Sequence, residues 1–531
     1  MKRRDFLTSS LLPWFTAGCG QAAAVAGGFV DTGHTHAHML RTATWPAPTK
    51  VHRTGVLIAG GGVAGLAAAR ALRLQGLEDF VLLELESSAG GNSRSADVQG
   101  IACPLGAHYL PVPGDAATDV QNLLEELGLR QRVSGRWVID ERHLCHSPQE
   151  RLFINGQWQD GLLPVQDISA HTQADYHSFA QQVQAAARAE RFQIPIAKTP
   201  LRQQGRALDA INFKAWLNQN QLTSAELHWY LDYCCRDDYG AGIDSVSAWA
   251  GLHYFASRHG FSAPWGEPSA EQGAGVLTWP QGNGWLTQRL ARPLGERLLT
   301  GRMVCRIAVG KHGVTVDAFD THSQTVERWQ AAQCIVALPL FVAARVLEAA
   351  PPALLAAAAA LRYAPWLVAN IHLKAALHDR PGAAPSWDNV VCGATSGLGY
   401  VDAMHQSLAT VPSTTVLTHY RAFGIAPAAR KNFYEQPWTH WRDTVLAELS
   451  VPHPDVLGKV TQIDVMRYGH AMSVPVPGIR NHTALAALQT SQSGQRLHFA
   501  HSDLSGYSVF EEAFSHGHTR GMALKEALKK A

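Results

Sequence analysis

Three glycines, Gly60, Gly62 and Gly65, separate a short apolar run from an Ala- and Leu-rich segment in this chain of 531 residues. The spacing G-x-G-x-x-G is typical of a loop that leads from a buried strand into a helix. Gly60 permits the tight turn, Gly62 lets a pyrophosphate approach the backbone, and Gly65 lets the helix pack closely on the strand. The N–H groups at the start of that helix, including those of Val63 and Ala64, favour a phosphate. The pattern predicts a dinucleotide site.

An acid and a second glycine pair follow this motif. A second apolar strand, predicted over Phe80–Leu83, ends at Glu84, where a carboxylate would bind ribose hydroxyls. Gly90, Gly91 and Arg94 come next. This segment resembles the flavin amine oxidase and phytoene-desaturase superfamily, in which the glycine pair lets the backbone run close to the cofactor. The resemblance places Arg94 near the phosphates or the flavin ring, and it favours FAD over NAD as the cofactor.

Later segments also resemble motifs of this superfamily, namely residues 104–109, 279–285, 334–339 and 499–517. On this resemblance, spermidine dehydrogenase-like exported FAD proteins are the nearest subgroup. Ser502 and Glu512 stand where the superfamily has glycines, so the C-terminal match is imperfect. The resemblance implies further cofactor contacts: Gly106, Ala107 and His108 near the flavin ring, Val304 at the adenine, and Asp503 and Glu512 in the C-terminal FAD signature.

The fold class implied by this resemblance is α/β, with a Rossmann-like FAD-binding domain interleaved with an α+β substrate-binding domain. We expect residues 51–115, 270–345 and 480–531 to form the FAD-binding domain, and residues 116–269 and 346–479 to form the substrate-binding domain. The composition, 46% hydrophobic and 17% charged, suits a large core. The net charge of +2 gives no argument for nucleic acid as a partner.

The first 26 residues read as a twin-arginine signal peptide, because Lys2-Arg3-Arg4-Asp5-Phe6-Leu7 precedes a short uncharged stretch. We therefore expect a periplasmic protein. Thr16-Ala17-Gly18-Cys19 resembles a lipoprotein box, which would anchor the protein to the membrane through a lipid at Cys19, whereas Ala24-Val25-Ala26 offers ordinary cleavage. Both alternatives stay open.

Residues 27–50 read as a linker. It contains His34, His36 and His38, which could hold a metal if the segment were extended or could belong to a polar leader, and we assign no metal site.

Without Cys19 the chain has seven cysteines, an odd number for a disulfide framework, and we expect mostly reduced core residues.

The superfamily resemblance also implies a reaction. In flavin amine oxidases a neutral amine lies between two aromatic rings and loses a hydride from its α-carbon to N5 of the flavin. Tyr507 matches the ring of the C-terminal motif, while Tyr468 is the first choice for its partner and His470 the second.

An acid- and aromatic-rich run contains Asp232, Asp237 and Asp238. These carboxylates could hold a distal ammonium of a polyamine by charge pairing, with cation–π contacts from the aromatic residues. The run could equally be a helix end in which Arg236 pairs with its neighbours. Both interpretations stay open at this point.

Many members of the superfamily place a lysine beside N5 of the flavin. In this chain Asn370 or Ile371 matches that position, and Lys374 does not align with it. The difference favours a dehydrogenase that passes electrons to a quinone or a carrier protein over an oxidase that uses O2. A carotenoid-type FAD desaturase or isomerase, which also lacks the lysine, is an alternative. A flavin-binding protein without turnover is a third.

Export by the twin-arginine route makes one prediction. Replacing Arg3 and Arg4 by lysine should leave the precursor in the cytoplasm, because that route reads the arginine pair. Cell fractionation measures this, and an unchanged periplasmic signal would contradict it. Labelling with radioactive palmitate decides separately whether Cys19 carries a lipid.

Overall fold

The computed structural model describes residues 25–31, 33–42, 44–264, 275–393, 396–407, 413–490 and 496–529. The twin arginines and Cys19 lie outside these residues. The described strands, in chain order, are β1 (Ala26–Phe29), β2 (Lys50–Ala59), β3 (Phe80–Leu83), β4 (Ser95–Val98), β5 (Ile101–Pro104), β6 (Tyr109–Pro111), β7 (Arg130–Val133), β8 (Arg136–Ile139), β9 (Glu150–Ile154), β10 (Gln157–Asp160), β11 (Val276–Thr278), β12 (Leu298–Leu299), β13 (Arg302–Val309), β14 (Val314–Asp320), β15 (Thr325–Val336), β16 (Tyr363–Leu373), β17 (Asp388–Val391), β18 (Gly397–Asp402), β19 (Thr415–Ala422), β20 (Val460–Ser473) and β21 (Leu497–Phe499).

The described α-helices range from single turns to long packed helices. In chain order they are α1 (Gly33–Met39), α2 (Val63–Leu74), α3 (Thr118–Glu126), α4 (Ala170–Ala189), α5 (Gln203–Asp209), α6 (Phe213–Gln219), α7 (Ala225–Tyr239), α8 (Ala248–Tyr254), α9 (Gly284–Ala291), α10 (Leu340–Val346), α11 (Pro352–Ala360), α12 (Pro427–Glu435), α13 (Trp438–Ser450), α14 (Val456–Lys459), α15 (Thr483–Gln489) and α16 (Phe510–Lys529). None of the described helices has the length and apolarity to cross a membrane.

The predicted α/β fold is confirmed. One sheet has the strand order β12, β3, β2, β15, β14, β13, with β21 also paired to β15. The strands β12, β3, β2, β15 and β21 run parallel, while β13 and β14 add antiparallel neighbours. The apolar end of β2, from Val56 to Ala59, is buried because helices cover the parallel strands.

Helix α16 packs along α2 at two glycines. A Cβ atom on Gly517 would lie 1.9 Å from the carbonyl oxygen of Ala64, and one on Gly521 would lie 2.6 Å from that of Ala68. The absence of side chains at these two positions therefore lets the backbones of the two helices approach. This packing holds the chain's last described helix against its first long one.

The second sheet has the order β1, β20, β16, β19, β18, β17, β9, β10, and most of its pairs are antiparallel. Strand β16 lies in its middle and is buried along its whole length. Helices α4–α8 lie beside this sheet and contribute apolar side chains to the same core. Strands β9 and β10 form a hairpin around Asn155-Gly156, in which Gln157 pairs with Ile154.

The predicted domain boundaries need three corrections. The linker assignment is wrong for β1 and α1, because β1 pairs with β20 in the substrate-binding sheet. Helix α3, assigned to the substrate-binding domain, instead buries Val120 and Leu123 in the core around α2. Helix α11 likewise packs Leu354 against the FAD-binding sheet. In each case the side chains join a core whose other members are distant in the sequence.

The described cysteines are reduced and mostly buried, as expected from the sequence. The cysteines in the described part of the chain are all free, and five of them are buried: Cys103, Cys234, Cys235, Cys305 and Cys334. Burial raises the pKa of each of these thiols, so they remain protonated.

Candidate active site

A cavity of about 690 Å³ lies between the two sheets and receives residues from both domains. The FAD-binding side contributes the glycine loop, the end of β3 and the start of α16. The substrate-binding side contributes β16, β20 and the acidic end of α7. The walls are mainly apolar but also carry many charged side chains. A cavity of this size at a domain boundary is a common form of a cofactor and substrate site.

The glycine loop lies in the cavity wall. Gly60 has φ +100°, and a Cβ there would lie 2.6 Å from the carbonyl oxygen of Ala337. A Cβ on Gly65 would lie 1.9 Å from the carbonyl oxygen of Gly60, so α2 packs directly on the turn. A Cβ on Gly62, by contrast, would meet nothing nearer than the Cα of Gly91, at 4.0 Å. The space in front of Gly62 thus belongs to the cavity.

The start of α2 fits a phosphate. No side chain caps this helix, and its first residues, Val63 and Ala64, line the cavity. The first N–H groups of a helix have no partner within it, and they attract negative charge. The residues present therefore suit the pyrophosphate of FAD.

The Glu84 carboxylate is held in place by backbone N–H groups. Its Oε2 accepts from N–H of Gly61 at 2.7 Å, and its Oε1 accepts from N–H of Glu86 at 2.8 Å. Burial raises the pKa of Glu84, while these two donors and Arg94 oppose that effect. Since each oxygen has a second lone pair, Glu84 can still accept from a ribose hydroxyl at the cavity wall.

The second glycine pair carries Arg94 into the cavity. Gly90 and Gly91 have φ +133° and +58°, and the N–H of Gly90 donates to the carbonyl of Gly61 at 2.8 Å. Arg94 is buried, with Nη1 3.1 Å from the Glu86 carboxylate. The neighbouring acids, together with Tyr468, raise the pKa of Arg94 despite its burial. A fixed positive charge therefore lies in the wall.

The segment from Gly106 to His108 also lies in the wall. A Cβ on Gly106 would lie 2.2 Å from the carbonyl oxygen of Asn92, to which the N–H of Ala107 donates at 2.9 Å. The His108 ring stacks on Tyr420 with centroids 4.4 Å apart. Burial lowers the pKa of His108 to about 3, so its imidazole is neutral.

Val304 and Asp503 line the cavity at two other places. Oδ2 of Asp503 accepts from N–H of Leu340 at 2.9 Å and from the hydroxyl of Tyr363 at 2.6 Å. Its Oδ1 is buried and has no hydrogen-bond partner among the described residues, although Nδ1 of His501 lies 3.3 Å away. An acceptor left open in this way fits a hydroxyl of the cofactor.

The prediction that Tyr507 forms one of two aromatic rings in the site is wrong. Tyr507 is 2% exposed and does not line the cavity. Its hydroxyl donates to Oδ2 of Asp238 at 3.1 Å, and its ring packs against Tyr239 and His253. The next residues, Ser508 and Val509, form the wall instead.

The prediction that Glu512 binds the cofactor is also wrong. Its carboxylate is fully buried away from the cavity, where Oε1 accepts from N–H of Ile196 at 2.5 Å and Oε2 accepts from the hydroxyl of Ser505 at 2.7 Å. Burial raises the pKa of Glu512 to about 7. The acid that replaces the family's glycine therefore ties α16 to a loop of the other domain.

Tyr468 and His470 alternate on β20 and both line the cavity. Burial raises the pKa of Tyr468, and the charge of Arg94 opposes this. The His470 ring stacks on Phe341 at 4.4 Å, and burial lowers its pKa to about 3. These two side chains remain the candidates to position a substrate.

Strand β16 presents Trp366 and Val368 to the cavity. Asn370, expected where the superfamily has a lysine, donates to the carbonyl of Pro104 at 3.1 Å and accepts from Thr418, and it does not line the cavity. Asn370 therefore does not occupy the position at the cavity wall that the resemblance implied for the lysine. Among the described residues that line the cavity there is no lysine.

Acidic side chains of α7 reach the cavity beside an arginine. Asp237 and Asp238 both line it, together with Arg258 and Glu511. Nη2 of Arg258 lies 2.7 Å from Glu511, and its Nη1 lies 3.9 Å from Asp238. Burial and the charge of Asp238 raise the pKa of Asp237 to about 7. The predicted acidic cluster is thus split, because Asp232 pairs with Arg236 at 2.8 Å outside the cavity.

Sequence reasoning missed several lining residues. Arg258 lies in a short π-helical turn after α8, and Glu511 opens α16 beside the expected Glu512. No local motif surrounds either residue, so only their pairing in space reveals them. In the described ranges no group of three or more His, Cys, Asp or Glu side chains could hold a metal ion.

Comparison with known proteins relates the sequence to one family. Residues 63–519 match the family described as flavin containing amine oxidoreductase. Over 287 residues, 54% of this chain and 56% of the other, it is 29% identical to the provisionally named flavin-containing monoamine oxidase AofH of Mycobacterium tuberculosis. It is 30% identical over 150 residues, 28% of each chain, to an L-amino acid dehydrogenase of Synechocystis sp.. The chain spans about half the length, or less, of these curated relatives.

A solved structure shares the fold. The structure of putrescine oxidase bound to putrescine superposes with a TM-score of 0.63, covering 90% of this chain and 100% of that one at 16% identity. Identity at this level is evidence for the fold alone, and it agrees with the two interleaved domains described above.

The space in front of Gly62 gives a prediction. Gly62→Val should fold, because its Cβ meets protein only in an ordinary contact, at 4.0 Å from the Cα of Gly91, yet it should bind no FAD, because the side chain occupies the space for the pyrophosphate. Absorbance near 450 nm, roughly where an oxidised flavin absorbs, measures this. Gly114→Ala, at a glycine with nothing within 4 Å, is the control. A yellow Gly62→Val protein would contradict the assignment.

Proposed function

The chain belongs to the flavin-containing amine oxidoreductases, with FAD as cofactor, and from this premise we propose that it oxidises an amine carrying a second positive charge, such as a polyamine. The observation that carries the proposal is the acidic end of the cavity, which Asp237 and Asp238 line together with an Arg258 that is already paired with Glu511. Putrescine, the ligand of the fold neighbour, is a diamine. A distal ammonium would pair with Asp237 while the reacting nitrogen lies nearer the flavin.

The charges at the acidic end of the cavity favour a cation over an anion. Three carboxyl groups, of Asp237, Asp238 and Glu511, face one guanidinium, that of Arg258. Arg258 already contacts Glu511 at 2.7 Å, so its positive charge is paired with a carboxylate of the protein. An amino acid, the substrate class in the name of the Synechocystis relative, would bring a carboxylate next to these acids. Like charges at short distance repel, and we therefore favour an amine without a carboxylate.

The reaction itself needs few protein groups. FAD, when bound, accepts a hydride at N5 from the carbon beside the amine nitrogen, and the resulting imine is hydrolysed by water. Tyr468 and the neutral His470 would orient the neutral amine, because a protonated nitrogen has no lone pair to assist loss of the hydride. The apolar side chains of Val368 and Met466 would exclude water from this part of the cavity.

We further propose a dehydrogenase that passes electrons to a quinone or a carrier protein in the periplasm. The absence of a lysine among the described lining residues supports this choice over an oxidase that uses O2. The twin-arginine motif supports the location, because that route carries folded proteins and so permits FAD to be inserted before export. Attachment through a lipid on Cys19 would hold the enzyme near membrane quinones.

A desaturase or isomerase of apolar substrates is the second candidate. Its site would be a long apolar tunnel, whereas Asp237, Asp238 and Glu511 put buried charge into this cavity. Burying carboxylates against an apolar chain is unfavourable. A flavin-binding protein without turnover is the third candidate; its cavity would hold the flavin and leave no room for a substrate.

The proposed activity predicts bleaching of the flavin under anaerobic conditions. Diamines and polyamines should reduce it, monoamines of equal length should do so less well, and amino acids should fail, because only the first group can pair with Asp237. Stopped-flow absorbance near 450 nm, roughly the flavin maximum, measures the rate. Air or a soluble quinone is then added to the reduced enzyme. Rapid reoxidation of the flavin by air indicates an oxidase, whereas reoxidation by the quinone but not by air indicates a dehydrogenase. Bleaching by a polyene or fatty acid alone would overturn the amine proposal.

The anchoring role of Asp237 predicts a pH dependence. Its pKa is raised to about 7, so the carboxyl is neutral below that pH and charged above it. The KM for a diamine should therefore fall as pH rises through about 7. Asp237→Asn should lose this dependence and weaken binding by about 1–3 kcal/mol, with a smaller change in kcat.

The control for this prediction is Asp244→Asn, which removes the same charge from an exposed side chain paired with Lys214 outside the cavity. Steady-state kinetics of the three proteins between about pH 5 and pH 9, roughly two units on either side of the shifted pKa, measures the difference. An unchanged KM profile in Asp237→Asn would rule out this residue as the anchor.

A further inference from the structure

We propose that the N-terminal segment forms one wall of the FAD site and retains the cofactor. This segment, residues 26–31 and 33–41, is called the strap here. It comprises β1, helix α1 and the residues around them. The sequence predicted a linker here, with histidines that could hold a metal only if the segment were extended, and the family match begins at residue 63.

The strap is attached firmly to the substrate-binding domain. Strand β1 runs parallel to β20, with Ala26 opposite Gln462 and Phe29 opposite Val465. The Asp31 carboxylate lies 3.0 Å from Nε of Arg467, and both side chains are largely buried, at 6% and 11% exposure. A buried ion pair with good geometry is costly to break from one side. This end of the strap is therefore fixed.

Helix α1 then crosses to the FAD-binding domain. The His34 ring stacks on Tyr434 of the substrate-binding domain with centroids 4.2 Å apart. A Cβ on Gly33 would lie 2.2 Å from Oε1 of Glu86, so the helix begins against the segment that follows β3. At its other end, Met39 and Leu40 pack into a cluster with Met303. The strap thus bridges the two domains.

The inner face of the strap is part of the cavity. Its lining residues share that cavity with Glu84 and Val304, the positions expected at the ribose and the adenine. They are Asp31, Gly33, His34, Ala37, His38, Leu40 and Arg41. A segment that covers the adenosine half of the cleft from outside would slow release of the cofactor, since FAD could leave on that side only after the strap had moved.

The histidines of the strap serve packing in this arrangement. His34 and His38 lie one helical turn apart with ring centroids 4.1 Å from each other, and burial lowers the pKa of both. Near neutral pH they are uncharged, so they fill the wall without repelling Arg41 or Arg467. The segment is helical rather than extended, which removes the geometry that a metal clasp by alternate histidines would need.

Hydrogen exchange on the wild-type protein tests the proposal directly. FAD is removed by dialysis against bromide and restored by titration, and both forms are compared by mass spectrometry. Peptides covering residues 26–41 should exchange at least about tenfold more slowly with FAD bound. The exposed hairpin of β7 and β8 should not change. Equal exchange of the strap in both forms, with protection of residues 60–65 by FAD, would overturn the proposal.

A variant supplies a second measurement. Asp31→Asn should release FAD at least about tenfold faster, because one partner of the buried pair with Arg467 is lost. Asp244→Asn, which removes an exposed carboxylate, should release it at the wild-type rate. Loss of flavin absorbance after dilution and filtration gives the rate, and circular dichroism verifies the fold. Wild-type release in a folded Asp31→Asn protein would contradict a retaining role, whereas a wild type that binds no FAD would instead refute the cofactor.

Discussion

The close approach of backbone to backbone around α2 is the constraint on which the site depends. On one side the helix rests on the carbonyl of Gly60, and on the other α16 rests on the carbonyl of Ala64, each at a distance that excludes any side chain. A helix confined in this way cannot rotate or slide without collision. Its uncapped N-terminus is therefore fixed at the cavity, and every other wall is positioned relative to it.

Prediction from sequence was most accurate where the chemistry is in the backbone. The glycine loop could be predicted because its spacing depends on local conformation, whereas Tyr507 and Glu512 were misplaced because a family resemblance does not say which side chains of a segment face a cavity. Arg258 could not be predicted as a site residue, because no local motif surrounds it. The linker assignment failed since the partner of Asp31 is 436 positions away. Long-range pairing leaves no periodic signal in the short segment that it orders.

Burial divides the titratable groups of the cavity into two classes. His108 and His470 have pKa values lowered to about 3, so these rings stay neutral over the whole physiological range. Asp237, with a pKa raised to about 7, is poised to change charge near neutrality. Desolvation thus keeps the imidazoles neutral but brings the pKa of a carboxyl into the range near neutral pH. The electrostatic character of the site near neutrality is consequently governed by acids rather than by histidines.

The pairing of β1 with β20 has a consequence for the order of synthesis. A ribosome makes β1 first, yet the strand that receives it is completed only after residue 473 has been added. Closing so long a loop is slow compared with local folding, because the chain entropy must be lost before the contacts form. The first described strand to be made is among the last to be placed.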